Sequence, residues 1–406
     1  MSMNLNLSID IDEKINLIYN FNYEESGKSC FKIGTIDLNN ITLDDIKISN
    51  NNEIKEDLYN QIIKGNFQLL NFNEKTKISL FKRFSDNFST SIYISPYIKT
   101  KNTDNINNEN NVDSLFSYVL SKLLLDGKTK HILLPIINID LTFSELNVIL
   151  KSYPLYKIYN KLIIEDKISS IFSIRIRENF FSSVNLREYI NINKKINYKY
   201  ILFQLIHTLA TIQKEYPDFV HNNLRLENII IQTNNLSSNT KYKFDNKLFE
   251  IKNNNIFIKI SSFNKSECTS ILKSTNKSKN NKYTDLWFFL NKLYKYNNFS
   301  NTDSETFEFL TKILPKKYIG SANVEELFKP KDLLNDKYFK SLEIVNNIIE
   351  KKSSNQKYMK NHSENSINNK YNINQTFMTN LESDSKSILG HQSEVFSERK
   401  LKIEPV

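Results

Sequence analysis

The stretch FVHNNLRLENIII, residues 219–231, sets His221, Asn222, Asn223, Arg225, Glu227 and Asn228 between two apolar runs. Polar groups crowded on a loop between buried elements suit positioning and charge neutralisation around a reacting group. The type at position 223 limits that chemistry. An amide is neutral at pH 7 and cannot take a proton, and losing a general base lowers a rate by about 10²–10⁴-fold. A second polar turn closes IKISSFN, residues 258–264. Its Ser262 offers a hydroxyl, which brings no charge to a hard cation such as magnesium. The acids closest in sequence to the first loop are Asp218 and Glu227.

Helices and strands must carry these turns. YILFQLIHTLATIQKEY (200–216) puts Leu202, Leu205, Ile206, Leu209 and Ile212 on one helical face, and Pro217 stops it just before the loop. IFIKI reads as the strand leading into the second turn, and YTDLWFFLNKLY (283–294) as a mostly buried helix. Upstream, LNLSIDI, INLIYNFNY, KISLFKRF (77–84), HILLPIINI (131–139) and IFSIRI (171–176) have strand character. From Val112 the period changes. Leu115, Phe116, Val119, Leu120, Leu123 and Leu124 predict a single long helix near 112–125, closed by Asp126-Gly127. The Asn-rich KTKNTDNINNENN before it reads as a flexible loop, and residues 232–255 as a polar insert with small alternating pieces.

Composition narrows the classes. Among 406 residues, 27 Phe and 21 Tyr allow a sizeable core, while Cys30 and Cys268 cannot make a disulfide framework or a CxxC metal site. The net charge is +10, but the lysines are mixed with acids and form no run of five or six like charges, so a solvated surface is favoured over a nucleic-acid stripe. No signal-peptide pattern and no run of about 18 apolar residues is present, so a soluble intracellular protein is expected. The six glycines, at 27, 34, 65, 127, 320 and 390, leave 128–319 without any.

Four stretches, in order, resemble the protein-kinase family. HNNLRLEN is similar to the loop H-R-D-L-K-x-x-N, and ISSFN to the turn ending in D-F-G. TDLWFFLNKLY resembles the D-x-W-x-x-G helix beneath that loop, and PKDLLNDKYF (330–339) the last helical turn of the large lobe. The helix before the loop, the polar insert and DLWFFLNKLY resemble the kinase-like proteins of large DNA viruses such as mimiviruses. The likeness is good over 198–340, weak over 60–197 and absent at both ends.

The resemblance implies an α+β, bilobal protein-kinase-like fold with a small β-rich lobe and a mainly helical one. It divides the chain into an N-terminal extension (1–55) counted with the small lobe, a small lobe (56–178), a large lobe (179–350) and a disordered tail (351–406), with the lobes joined near Glu178–Phe181. It implies that Asn223 replaces the catalytic aspartate, Arg225 the loop lysine and Ser262 the metal-holding aspartate. Asn228 is then a candidate for nucleotide or metal. Asn264, at the glycine of D-F-G, suits a left-handed backbone. His221 and Phe263 match buried spine residues, and Asp285 the carboxylate that binds the loop backbone. Lys82 is the candidate strand lysine and Gly65 the candidate last glycine of a phosphate loop, although G-x-G-x-x-G occurs nowhere. Asp113 is a loose match to the glutamate that partners that lysine. Only 23 positions separate Ser262 from Asp285, with no A-P-E between them.

These substitutions predict a pseudokinase: a binding or scaffolding module without efficient phosphotransfer. Its expected partner is a protein, either an active kinase or a viral structural protein, with no membrane. ATP, with or without magnesium, is the one cofactor the resemblance suggests. The expected setting is the host cytoplasm or the virion. The alternatives are a slow serine/threonine kinase using Lys82 and Asn228 with Glu227 or Asp218, and a basic nucleic-acid-binding module.

Overall fold

The computed structural model describes residues 46–47, 67–73, 77–84, 89–99, 103–179, 183–272, 283–296, 303–314 and 328–344. All of these lie within one compact unit, Met1–Asn346. Gly65, Cys30, Phe180, Phe181 and the tail 351–406 lie outside the described residues, as do the first strands expected near the N-terminus.

Period-2 alternation builds a five-stranded antiparallel sheet. Its strands are β1 (Phe67–Asn73), β2 (Ile78–Phe84), β3 (Ser89–Ile98), β4 (Pro135–Thr142) and β5 (Ile168–Asn179), in the order β1-β2-β3-β5-β4. In register, Ile92 faces Ile176 and Ile94 faces Ile174, while Ser91 faces Arg177 and Tyr93 faces Arg175. One face of the sheet is therefore apolar and the other polar.

Helix α1 (Glu109–Leu125) covers the polar face at Asp113. The Asn-rich stretch, expected to be a loop throughout, ends as the start of this helix. Asn108 caps it by accepting from Asn110 N, and the buried Asn111 donates to Thr103 O at 2.7 Å and Asn105 O at 2.8 Å. At the other end Gly127 adopts φ +67°, and the Lys128 N–H returns to Leu123 O at 2.9 Å. That closure is a Schellman motif.

Between β4 and β5 the structure inserts two helices, α2 (Phe143–Leu150) and α3 (Leu155–Ile164), so a single long helix beside the sheet was too few. A capping box starts α2: Thr142 Oγ1 accepts from Glu145 N, and Glu145 accepts from Thr142 N. Both helices lie on the apolar face, where Tyr159, Phe143 and Phe172 meet Ile92, Ile94, Ile139 and Ile174 in one core.

The second core gathers α1, α4 (Leu186–Ile192), α5 (Tyr198–Glu215), β7 (Ile229–Phe244), β8 (Lys247–Ile260), α6 (Thr284–Tyr296) and α7 (Ser304–Ile313). Burying each large apolar side chain in such a core contributes about 1.5–3 kcal/mol. The polar insert is a continuous β7–β8 ribbon closed by the two-residue turn Asp245–Asn246, with Asp245 at φ 51°. β6 (Ser183–Asn185) pairs with the start of β7, and β8 lies at the other edge of the three strands. Gln204 of α5 braces that edge, donating from Nε2 to Ile256 O at 2.9 Å and accepting from Ile258 N at 3.1 Å.

Candidate functional site

Helix α5 ends at Glu215 and the chain turns through Asp218–Phe219 into the loop. Asp285, in the first turn of α6, fixes that loop from below. Its carboxylate oxygens accept from His221 N at 2.5 Å and from Asn222 N at 2.7 Å. Burial pushes the Asp285 carboxyl up to about 7, against the two N–H donors that favour its charged form. Asn222 adopts φ 57°, a conformation asparagine tolerates.

His221 is fully buried and its ring packs on Phe263 with centroids 5.0 Å apart. Its Nε2–H donates to Ser261 O at 3.2 Å, and its Nδ1 accepts from Asn223 N at 3.2 Å. Burial pulls the imidazole down to about 4. The neutral ring is the form that leaves Nδ1 free to accept.

The two turns meet directly. Ser261 N and Oγ both donate to Asn228 O at 3.0 Å, and Asn228 Nδ2 donates to Asn223 O at 2.7 Å. The Asn223 side chain does not stand free, because its Nδ2 donates to Asn264 Oδ1 at 3.0 Å. Asn264 Nδ2 in turn donates to Glu109 Oε2 of α1 at 3.1 Å. Ser262, not Asn264, carries the left-handed backbone, at φ 66°. The expectation at Asn264 is corrected: the turn needs its strained residue at the position before Phe263. Arg225 is exposed and precedes the short 3₁₀ turn Leu226–Asn228.

Asp113 stands at the centre of a buried charged cluster. It is 3% exposed and forms ion pairs with both Arg175 and Arg177 of β5, the latter at 2.5 Å. Its other oxygen accepts from Phe263 N at 2.6 Å. Burial alone would raise this carboxyl, but the guanidiniums of Arg177 and Arg175 and the Phe263 N–H outweigh it and hold the group below its usual value. Burial lowers Arg175, with Asp113 opposing. A second buried pair, Lys259 Nζ with Glu178 Oε1 at 2.8 Å, ties β8 to the end of β5.

Lys82 stands on β2, opposite Gln68 of β1 and Ser91 of β3. The strand that leads to α1, β3, contains no lysine. The family's lysine belongs on the third strand of its sheet, so Lys82 is one strand away from that expectation. The remaining acids are engaged elsewhere. Glu227 pairs with Arg187 at 2.9 Å, and Asp218 accepts from Thr269 N at 2.6 Å and Cys268 Sγ at 3.0 Å.

Magnesium bound with nucleotide needs carboxylates. Asn223, Ser262 and Asn228 supply none, and the Asp113 carboxylate is already divided among three partners. Among the described residues no group of three or more His, Cys, Asp or Glu could hold a metal. Among the described residues, those of the two turns therefore do not fit a magnesium nucleotide. A cavity of 720 Å³ lies apart from the two turns, lined by residues such as Tyr189, Lys199, Tyr200, Glu250 and Lys252.

Sequence reasoning missed Glu109, Arg175 and Arg177. The two arginines read as the polar half of an alternating strand, which gives no sign that a buried acid awaits them.

Sheets, helices and turns of this kind make an α+β chain, and it is similar to viral proteins of which two carry a kinase name. It is 26% identical to "Uncharacterized protein R402" of Acanthamoeba polyphaga mimivirus over 388 residues, 87% of this chain and 45% of that protein. It is 40% identical to "Putative serine/threonine-protein kinase R301" of the same virus over 77 residues, 18% of this chain and 19% of that one. It is 25% identical to "Putative serine/threonine-protein kinase R400", also of that virus, over 252 residues, 53% of each chain. The chain thus spans about half or less of each curated relative it matches. No protein-family profile matches it. Among the described residues no helix is long and apolar enough to cross a membrane.

Proposed function

We propose that the chain is a bilobal pseudokinase, a kinase-like scaffold that binds a protein partner without efficient phosphotransfer. The observation that carries this reading is the Asn223 side chain. Where the family has a carboxylate there is a neutral amide, already bound to Asn264 at 3.0 Å. Ser262 without charge and a β3 strand without lysine point the same way. Positioning alone leaves too little of the charge stabilisation that phosphoryl transfer relies on. The partner we favour is an active kinase or a structural protein of the virus, met in the host cytoplasm or the virion.

The names of two relatives favour a second reading, a slow serine/threonine kinase. Against it, Glu227, Asp218 and Asp113 all have other commitments. Two measurements decide between the readings. In thermal-shift titration with ATP, the scaffold gives no magnesium- or manganese-dependent stabilisation. In radiolabel transfer it gives no product, and Asn223→Asp alone restores none. Transfer by the wild-type protein that Lys82→Ala abolishes would leave the kinase reading standing instead.

A further inference from the structure

Two carboxylates of α1, four residues apart on one face, grip consecutive residues of the second turn. Asp113 accepts from Phe263 N at 2.6 Å, and Glu109 from Asn264 Nδ2 at 3.1 Å. An amide side chain has one donating and one accepting end. Because Glu109 only accepts, it takes the donating end of Asn264 and turns the oxygen toward position 223. That oxygen then requires a donor, and Asn223 Nδ2 supplies it at 3.0 Å.

We propose that Glu109 is a positioning residue that selects an amide, and rejects a carboxylate, at position 223. In Asn223→Asp a group that only accepts would face Asn264 Oδ1. Asn264 can turn over to donate to it, but then its oxygen meets the Glu109 carboxylate. Either arrangement opposes two acceptors, and of the two side chains the amide alone satisfies all three residues. The absence of the family's aspartate is therefore written into the first turn of α1 as well as into the loop. The inference takes from the pseudokinase reading only the importance of position 223. Because it is tested on stability, either can fail without the other.

The test is a double-mutant cycle on the full chain at pH 7, read by thermal unfolding. Glu109 is exposed and water shields part of the conflict, so the expected fall in Tm for Asn223→Asp is modest, about 3 °C. Glu109→Gln keeps an acceptor for Asn264 and leaves Tm within about 1 °C. In the Asn223→Asp background, however, Glu109→Gln gains a donor for the turned-over Asn264 and restores more than half of the loss. Asn264→Asp makes an independent second cycle, since its carboxylate suits Asn223 but faces Glu109. It too should lose stability and recover with Glu109→Gln. Should Asn223→Asp fail to fold, recovery of folded protein by Glu109→Gln supports the proposal, and the second cycle decides if recovery fails. A wild-type Tm for Asn223→Asp, or an equal loss with and without Glu109→Gln, overturns it.

Discussion

On the side of the five-stranded sheet covered by α2 and α3, Ile92, Ile94, Ile139, Phe172 and Ile174 form an apolar core with Tyr159. On the α1 side the same strands present Ser91, Tyr93, Ser173, Arg175 and Arg177, and one carboxylate, Asp113, answers both guanidiniums. The apolar side spreads its stabilisation over many small contacts, so it can lose a methyl group and keep most of it. The arginine pair concentrates its balance on one residue. Two cations already share one anion there, and no part of Asp113 can be removed gradually.

Acid is expected to have the largest effect, and it asks whether the charged side is the weakest part of the molecule. His131, His207 and His221 lie outside the five-stranded sheet, and burial pulls them down to about 3, about 4 and about 4. Their folded-state values are depressed, so the unfolded chain takes up protons first. Each histidine's contribution is complete above about pH 6.5 and falls toward pH 4 by about 1.4 kcal/mol per pH unit, while Asp285, raised to about 7, gains the same amount over about pH 7 to 4 and offsets one of the three. Denaturant midpoints measured from pH 7.5 to 4.5 should show this slope. A flat profile with collapse only where Asp113 protonates would instead make the charged side the weak point.

Direct substitution comes next. Asp113→Asn leaves two buried guanidiniums without their anion and should lose about 3–5 kcal/mol. Ile174→Val, on the opposite side of β5, should lose about 0.5–1.5 kcal/mol. Urea unfolding of both variants tests the contrast, and equal losses would break it. The smallest effect belongs to the turn that Asp113 holds. Ser262→Asn places a residue that accepts left-handed backbone at φ 66°, and should raise stability by about 0.5 kcal/mol. A loss would mean that the Ser262 hydroxyl, rather than its backbone, matters.

The parts of this arrangement that sequence revealed are those set by local spacing. His221, Phe263 and Asp285 lie in ordered motifs around strongly periodic helices, and their contacts join elements that the periodicity already defines. The Schellman end of α1 was legible in Asp126-Gly127 for the same reason. The helices between β4 and β5 had a readable signal, the Thr142–Glu145 capping box, which lay hidden behind the strand-like run before it. The long β7–β8 ribbon was obscured by its asparagines, whose poor strand preference is overridden by cross-strand pairing. Of the Asp113 cluster only the acid was legible, through its loose match to the family's glutamate; the arginines were not. The cluster brings together residues 62 and 64 positions apart, and alternation in β5 cannot distinguish an outward arginine from one buried against a helix.

Gln204 has a consequence beyond local bracing. A sheet edge with open peptide groups is a template on which any extended chain can continue the ladder. At Ile256 and Ile258 one side-chain amide plays the part of the missing peptide, giving and taking the two hydrogen bonds that a neighbouring strand would have made. A single residue on a helix thus seals part of a long ribbon against its own kind, and so protects the chain from templated self-association at the strand that leads into the site.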